Sequence, residues 1–81
     1  MDNDLDPRAY VRMAARLRRQ ISEGTYAAAA PVPSITVLSE QYGHARQTCA
    51  KALQVLAGEG LLVRIPGLGY HVAQRPVRRP A

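Results

Sequence analysis

The sequence has no tryptophan and no phenylalanine, and its four tyrosines stand far apart. Single-stranded nucleic acids are bound on exposed aromatic faces, so a single-strand or RNA reader ranks low. The lone cysteine, Cys49, rules out an intramolecular disulfide and fits a reducing compartment. No apolar run approaches the ~18 residues of a membrane span. The acidic start Asp2-Asn3-Asp4 is unlike a signal peptide. The expected setting is therefore the cytoplasm, with no membrane partner. His44, Cys49 and His71 lack the close pair spacing of metal ligands. Gly67-Leu68-Gly69 separates two short apolar runs rather than a strand and a helix, so it is no nucleotide-phosphate loop. No catalytic residue, metal or cofactor is expected.

Acidic residues are few, and their placement matters more than the net charge of +5. Up to position 43 the five basic residues Arg8, Arg12, Arg16, Arg18 and Arg19 are balanced by Asp2, Asp4, Asp6, Glu23 and Glu40. Beyond it Arg46, Lys51, Arg64, Arg75, Arg78 and Arg79 face Glu59 alone. A basic second half is what a polyanionic partner requires.

At 81 residues the chain makes one domain. Residues 1–6 are polar and expected to be flexible. Asp6-Pro7 is a helix start, with an acid to cap free amides and proline at the first helical position. Tyr10, Met13, Ala14, Leu17 and Ile21 then form one apolar stripe, and Gly24 ends the helix. Residues 25–33 make a loop, since Pro31 and Pro33 forbid a continuous helix, with a short extended piece near the prolines. Ser34 caps a second helix over about 35–42, predicted to bury Val37, Leu38 and Tyr42, and Gly43 closes it. A third helix runs over about 45–58, burying Cys49, Ala52, Leu53 and Leu56 and exposing Arg46, Gln47, Ala50, Lys51 and Gln54. It stops at Gly58 or Gly60. Two helices joined by so tight a glycine turn form a helix-turn-helix. The strands 61–65 and 70–73, joined by a glycine turn, form a hairpin. The tail 74–81, with two prolines and three arginines, reads as a basic linker. The expected fold is mainly α with a small β-hairpin: a winged helix-turn-helix domain over 7–73, three helices and a two-stranded wing.

These motifs, in this order, resemble the winged-helix DNA-binding domain of the GntR family of bacterial transcription regulators. Pro7-Arg8-Ala9-Tyr10, Leu17-Arg18 and Ile21 to Tyr26 resemble the family's first helix and the turn after it. Val32-Pro33-Ser34 resembles its Leu-Pro-Ser signature, and positions 38–43 its second helix. Arg46-Gln47-Thr48, then Ala52-Leu53, Leu56 and Glu59-Gly60-Leu61, resemble the recognition helix and its exit. Gly67-Leu68-Gly69-Tyr70-His71-Val72 resembles the wing turn. Lys51 and the wing pattern lean toward the sugar- and histidine-responsive subgroup. The likeness spans about 7–72. Several positions depart from the usual pattern. An acid and an arginine usually follow the Ser34 position, where Ile35 and Thr36 stand. A serine usually occupies the place of Ala45, an arginine often that of Ala50, and a basic residue that of Leu68.

Arg46 opens the exposed first turn of the reading helix, where the positive helix end disfavours a cation unless an anionic partner is present. Arginine pairs with guanine, glutamine with adenine, and threonine with a phosphate or base, so Arg46, Gln47 and Thr48 are the expected readers. Lys51, one turn on, is placed for a phosphate, and Arg64 for the flank of the wing. Gly67 and Gly69 allow a tight hairpin to approach DNA closely. The resemblance adds Tyr10 as a phosphate contact, and Ser34, Thr36, Ala45 and Leu68 as positions where the family touches DNA. The expected function is sequence-specific binding of double-stranded DNA for transcription regulation, by repression, with two copies on a palindromic or repeated site. The resemblance also implies a C-terminal effector-binding and dimerisation domain, which would begin where this chain ends; otherwise a partner protein supplies regulation. The competing reading is a winged-helix docking module that binds protein rather than DNA.

Overall fold

The computed structural model describes residues 7–73. The Asp6 cap, the 1–6 segment and the 74–81 tail lie outside the described residues. Within them the chain folds in the order α1 (Pro7–Ser22), α2 (Ile35–Tyr42), α3 (Arg46–Gly58), β1 (Leu62–Ile65) and β2 (Gly69–Val72). This is the winged helix-turn-helix expected, with β1 starting one residue later than predicted and ending where predicted, and β2 lying one residue earlier at both ends.

Each helix ends for a local reason. Past α1 the Thr25 amide donates back to the Gln20 carbonyl at 2.9 Å, with Gly24 left-handed at φ +84°, the geometry glycine takes at helix ends. Ser34 caps α2 by accepting the Val37 amide at 3.2 Å. Gly43, at φ +70°, closes α2 by donating to the Ser39 carbonyl at 2.9 Å. The Ser39 hydroxyl then donates to the His44 carbonyl at 2.6 Å, which staples the turn between α2 and α3. At the far end of α3 the Leu61 amide reaches the Leu56 carbonyl at 3.0 Å across Gly60.

The core is the meeting of the helical stripes with the wing root. Met13, Ala14 and Leu17 from α1, Leu38 from α2, and Cys49, Ala52, Leu53 and Leu56 from α3 are buried together with Val32, Leu62 and Val72. Ala9, which the stripe left out, is buried as well. Val37, expected inside, is 43% exposed. Helical spacing explains the correction: Ile35, Leu38 and Tyr42 lie on one face at the 3-4 repeat and pack on the core, whereas Val37 falls well outside it.

Helices α1 and α3 run side by side in the same sense, since Tyr10 meets Lys51 toward their starts and Arg18 meets Glu59 toward their ends. In the wing, β1 and β2 pair antiparallel with Leu62 opposite Val72 and Ile65 opposite Gly69. The predicted extended piece between α1 and α2 has a further role. It lies along the other edge of β2, with Ala29 donating to Val72, Val72 to Ala30, and Val32 to Tyr70, at 2.9–3.1 Å. The wing is thus hydrogen-bonded on both sides at its root, and the clamping segment leads straight into the Ser34 cap of α2.

Candidate nucleic-acid interface

The first turn of α3 presents its side chains without competition. Ala45 holds the N-cap position in extended geometry but offers no side-chain oxygen to the helix. Arg46 and Gln47 follow it and are exposed. No acidic residue stands in that turn. A cation at an uncapped helix N-terminus loses about 0.3–1 kcal/mol to the dipole, a cost that an incoming anion removes. Thr48 departs from expectation. It is 7% exposed, because it lies one turn before Ala52 on the side that packs inward. The turn expected to expose Arg46, Gln47 and Thr48 together thus exposes only the first two.

Lys51 lies one turn further along the exposed face, and its ammonium sits 5.1 Å from the centre of the Tyr10 ring. This contact joins two of the predicted site residues, with the half-buried ring as a platform for the cation. Ser34, Thr36, Arg64 and Gly69 also come together, lining with Ile35 and Tyr70 a hollow of about 320 Å³ between the start of α2 and the wing. Arg64 is exposed on β1 opposite Tyr70. At the hairpin tip Gly67 and Gly69 take φ +82° and +86°, backbone angles that side chains tolerate poorly. They hold Leu68 out at 67% exposure, an apolar tip between two bare backbone positions.

One basic residue is withdrawn from this surface. Arg18 forms a two-pronged pair with Glu59, Nε to Oε1 at 2.9 Å and Nη2 to Oε2 at 2.6 Å. The hydrogen bonds to Arg18 hold the Glu59 carboxyl below the usual carboxylate range. The pair ties α1 to the exit of α3, each charge offsetting the other. Sequence reasoning passed over a second group: Arg12, Arg16 and His44 gather around Tyr42 beside the turn into α3. The four-residue spacing of Arg8, Arg12 and Arg16 was the available signal.

A family model described as bacterial regulatory proteins, gntR family, matches residues 9–72. The chain is 37% identical over 65 residues to the histidine utilization repressor of Pseudomonas putida, covering 80% of this chain and 26% of that protein. It is 35% identical over 65 residues to the histidine utilization repressor of Klebsiella aerogenes, covering 80% and 27%. The chain thus spans about a quarter of the length of these relatives. Among solved structures, the DNA-binding domain of AraR in complex with operator ORE1 superposes with a TM-score of 0.77 at 29% identity, covering 80% of this chain and 79% of that one.

Proposed function

The chain belongs to the GntR family of bacterial regulatory proteins, and from that premise we propose that it is the DNA-reading domain of a transcription repressor. The domain, residues 7–73, binds double-stranded DNA in a sequence-specific way and acts by covering a promoter, in the cytoplasm at the nucleoid. The observation that carries this reading is the uncapped first turn of α3, with Arg46 and Gln47 exposed. It is supported by the likeness to a domain solved on its operator.

In this mechanism α3 enters the major groove by its N-terminus. The Arg46 guanidinium donates two hydrogen bonds to a guanine edge, and the Gln47 amide donates to and accepts from an adenine edge. Lys51, steadied on Tyr10, meets a backbone phosphate, and the Tyr10 hydroxyl lies near the same strand. Ser34 and Thr36 at the start of α2, with Arg64 across the hollow, face the next phosphates. The wing tip, Gly67-Leu68-Gly69, reaches the minor groove or its backbone. Ala45 and Leu68 stand where the family places a hydroxyl and a cation, so each contributes close approach rather than a polar contact. Thr48 serves by packing. A single module of this kind buries only ~600–1,000 Å² on DNA, so two copies on a palindromic or repeated site are needed for tight binding. A C-terminal effector-binding and dimerisation domain, or a partner protein, would bring them together.

The test is fluorescence anisotropy on a duplex enriched from a random pool, across a salt series, with Arg46→Ala alongside. Log affinity should fall by about 0.9 per phosphate for each decade of salt, with Arg46→Ala weaker by ~1–3 kcal/mol and less selective. A folded sample that binds no duplex at low salt, even when artificially dimerised, overturns the reading. It would favour the docking alternative, to which the missing cations at Thr36, Ala50 and Leu68 point.

A further inference from the structure

We propose that α1 carries a second phosphate-binding surface, built from Arg12 and Arg16 beside the turn into α3, which grips the DNA backbone flanking the major groove. The proposal rests on the DNA-reading function above and adds a contact area to it. Arg12 and Arg16 are one helical repeat apart and both exposed, so they form a row on a single face. Among the described residues neither is paired with a carboxylate, in contrast to Arg18 on the opposite flank of the helix. Together with Met13, Tyr42 and His44 they line a hollow of about 160 Å³.

That hollow is built to hold a cation in place. The Arg16 guanidinium lies 4.9 Å from the centre of the Tyr42 ring, so its orientation is partly set before any ligand arrives. A planar guanidinium fixed in this way suits a phosphate, which it can meet with two parallel hydrogen bonds. Its position points to the occupant. Tyr42 is the last residue of α2, His44 lies in the turn, and Arg46 begins α3. The hollow therefore opens beside the end of α3 that enters the groove, and a backbone strand bordering that groove passes in front of it. A protein partner fits less well, because stable protein interfaces centre on apolar and aromatic residues and exclude charge from the middle. The outer face of α1 here presents Arg8, Arg12, Arg16 and Arg19 around Val11 and Ala15, so four charges surround one exposed large apolar side chain. The arrangement also answers a deficit: cations are missing at Thr36, Ala50 and Leu68, and Arg12 and Arg16 return two.

The experiment uses the full chain and the enriched duplex, with Arg12→Gln/Arg16→Gln, Arg12→Lys/Arg16→Lys and Arg46→Ala compared across salt. The glutamine pair should lower the salt slope by about 0.9 for each phosphate no longer neutralised, weakening enriched and scrambled duplexes by the same factor. The lysine pair should keep the wild-type slope, and Arg46→Ala should instead reduce the difference between the two duplexes. If a thermal melt shows the glutamine pair unfolded, Arg12→Gln alone is read in its place, since it leaves the Arg16–Tyr42 packing intact, with half the slope change expected. An unchanged slope in the folded glutamine variant, with Arg46→Ala still impaired, overturns the α1 surface and leaves the DNA-reading function standing. A lysine pair whose slope falls as far as that of the glutamine pair also overturns it. Absence of duplex binding by the wild type takes both down.

Discussion

Ala45 is a cap without a capping atom. Its backbone, at φ −63° and ψ 152°, already has the extended geometry of an N-cap, so Ala45→Ser needs no rearrangement to place an oxygen over the free amides of α3. The substitution should stabilise the domain by ~0.5–2 kcal/mol, read as a higher melting temperature, and should tighten DNA binding by adding a hydroxyl next to Arg46. Ala29 is strained in the opposite way: it takes φ +68° in the clamping segment, where a side chain costs about 1–2 kcal/mol. Ala29→Gly should therefore raise the melting temperature despite the greater freedom of the unfolded chain. The positions that sequence misplaced show what a residue type cannot say alone. The exposure of Arg46 and Gln47 was legible because charge and a helix start leave few places for them. The burial of Thr48 was not, because threonine suits packing and a polar surface alike, and it is the width of the α3 core face, extending to the side of Ala52, that takes it in. Arg12 and Arg16 were visible as a spacing, but their role depends on Tyr42, which sits some 26–30 positions away in sequence.

At the level of elements, the helices were legible from caps and stripes, since these are local properties. Gly24, Gly43 and Gly60 all mark helix exits with positive φ. Three of the four strand ends differ by one residue from prediction, because the hydrogen-bond ladder, rather than the apolar run, sets them. The clamp of residues 29–32 on β2 was only half legible: prolines announce an extended chain, but not its neighbour. Packing between elements supplies the firmest stability prediction. Leu56 is fully buried where α3 meets the core, and Leu56→Ala should cost ~2–5 kcal/mol, read by denaturant or thermal unfolding. The Arg18–Glu59 pair also joins two elements, but its side chains are 42% and 38% exposed, so Glu59→Gln should cost less than ~1 kcal/mol near neutral pH. The sign with pH follows from the lowered Glu59 pKa. A carboxyl held below its unfolded value stabilises the fold above that value, and the contribution disappears as pH falls through the folded pKa. Melting temperatures of wild type and Glu59→Gln should therefore converge in acid.

For the whole molecule, the exposed cations among the described residues fall in two sectors, Arg46, Lys51 and Arg64 on α3 and the wing, and Arg8, Arg12, Arg16 and Arg19 on α1, so the half of the chain that is balanced in sequence still carries a basic face. Dimerisation by an added coiled coil should raise affinity for a two-site duplex far more than for a single site, through effective concentration alone; equal gains on both duplexes would point to a single-copy mode. The clamp at the wing root has a mechanical meaning. Hydrogen bonds from Ala29, Val32 and Val72 fix β2 to the segment that starts α2, so the wing is a cantilever whose free span is only the turn after Ile65. The amides of Val32 and Val72 should exchange slowly with solvent and those of the tip quickly. A beam that short hardly bends, so the distance from reading helix to wing tip is a set gauge. On the proposed DNA-bound arrangement the domain acts as a caliper on the grooves, and DNA of unsuitable width is expected to change its own shape to be held.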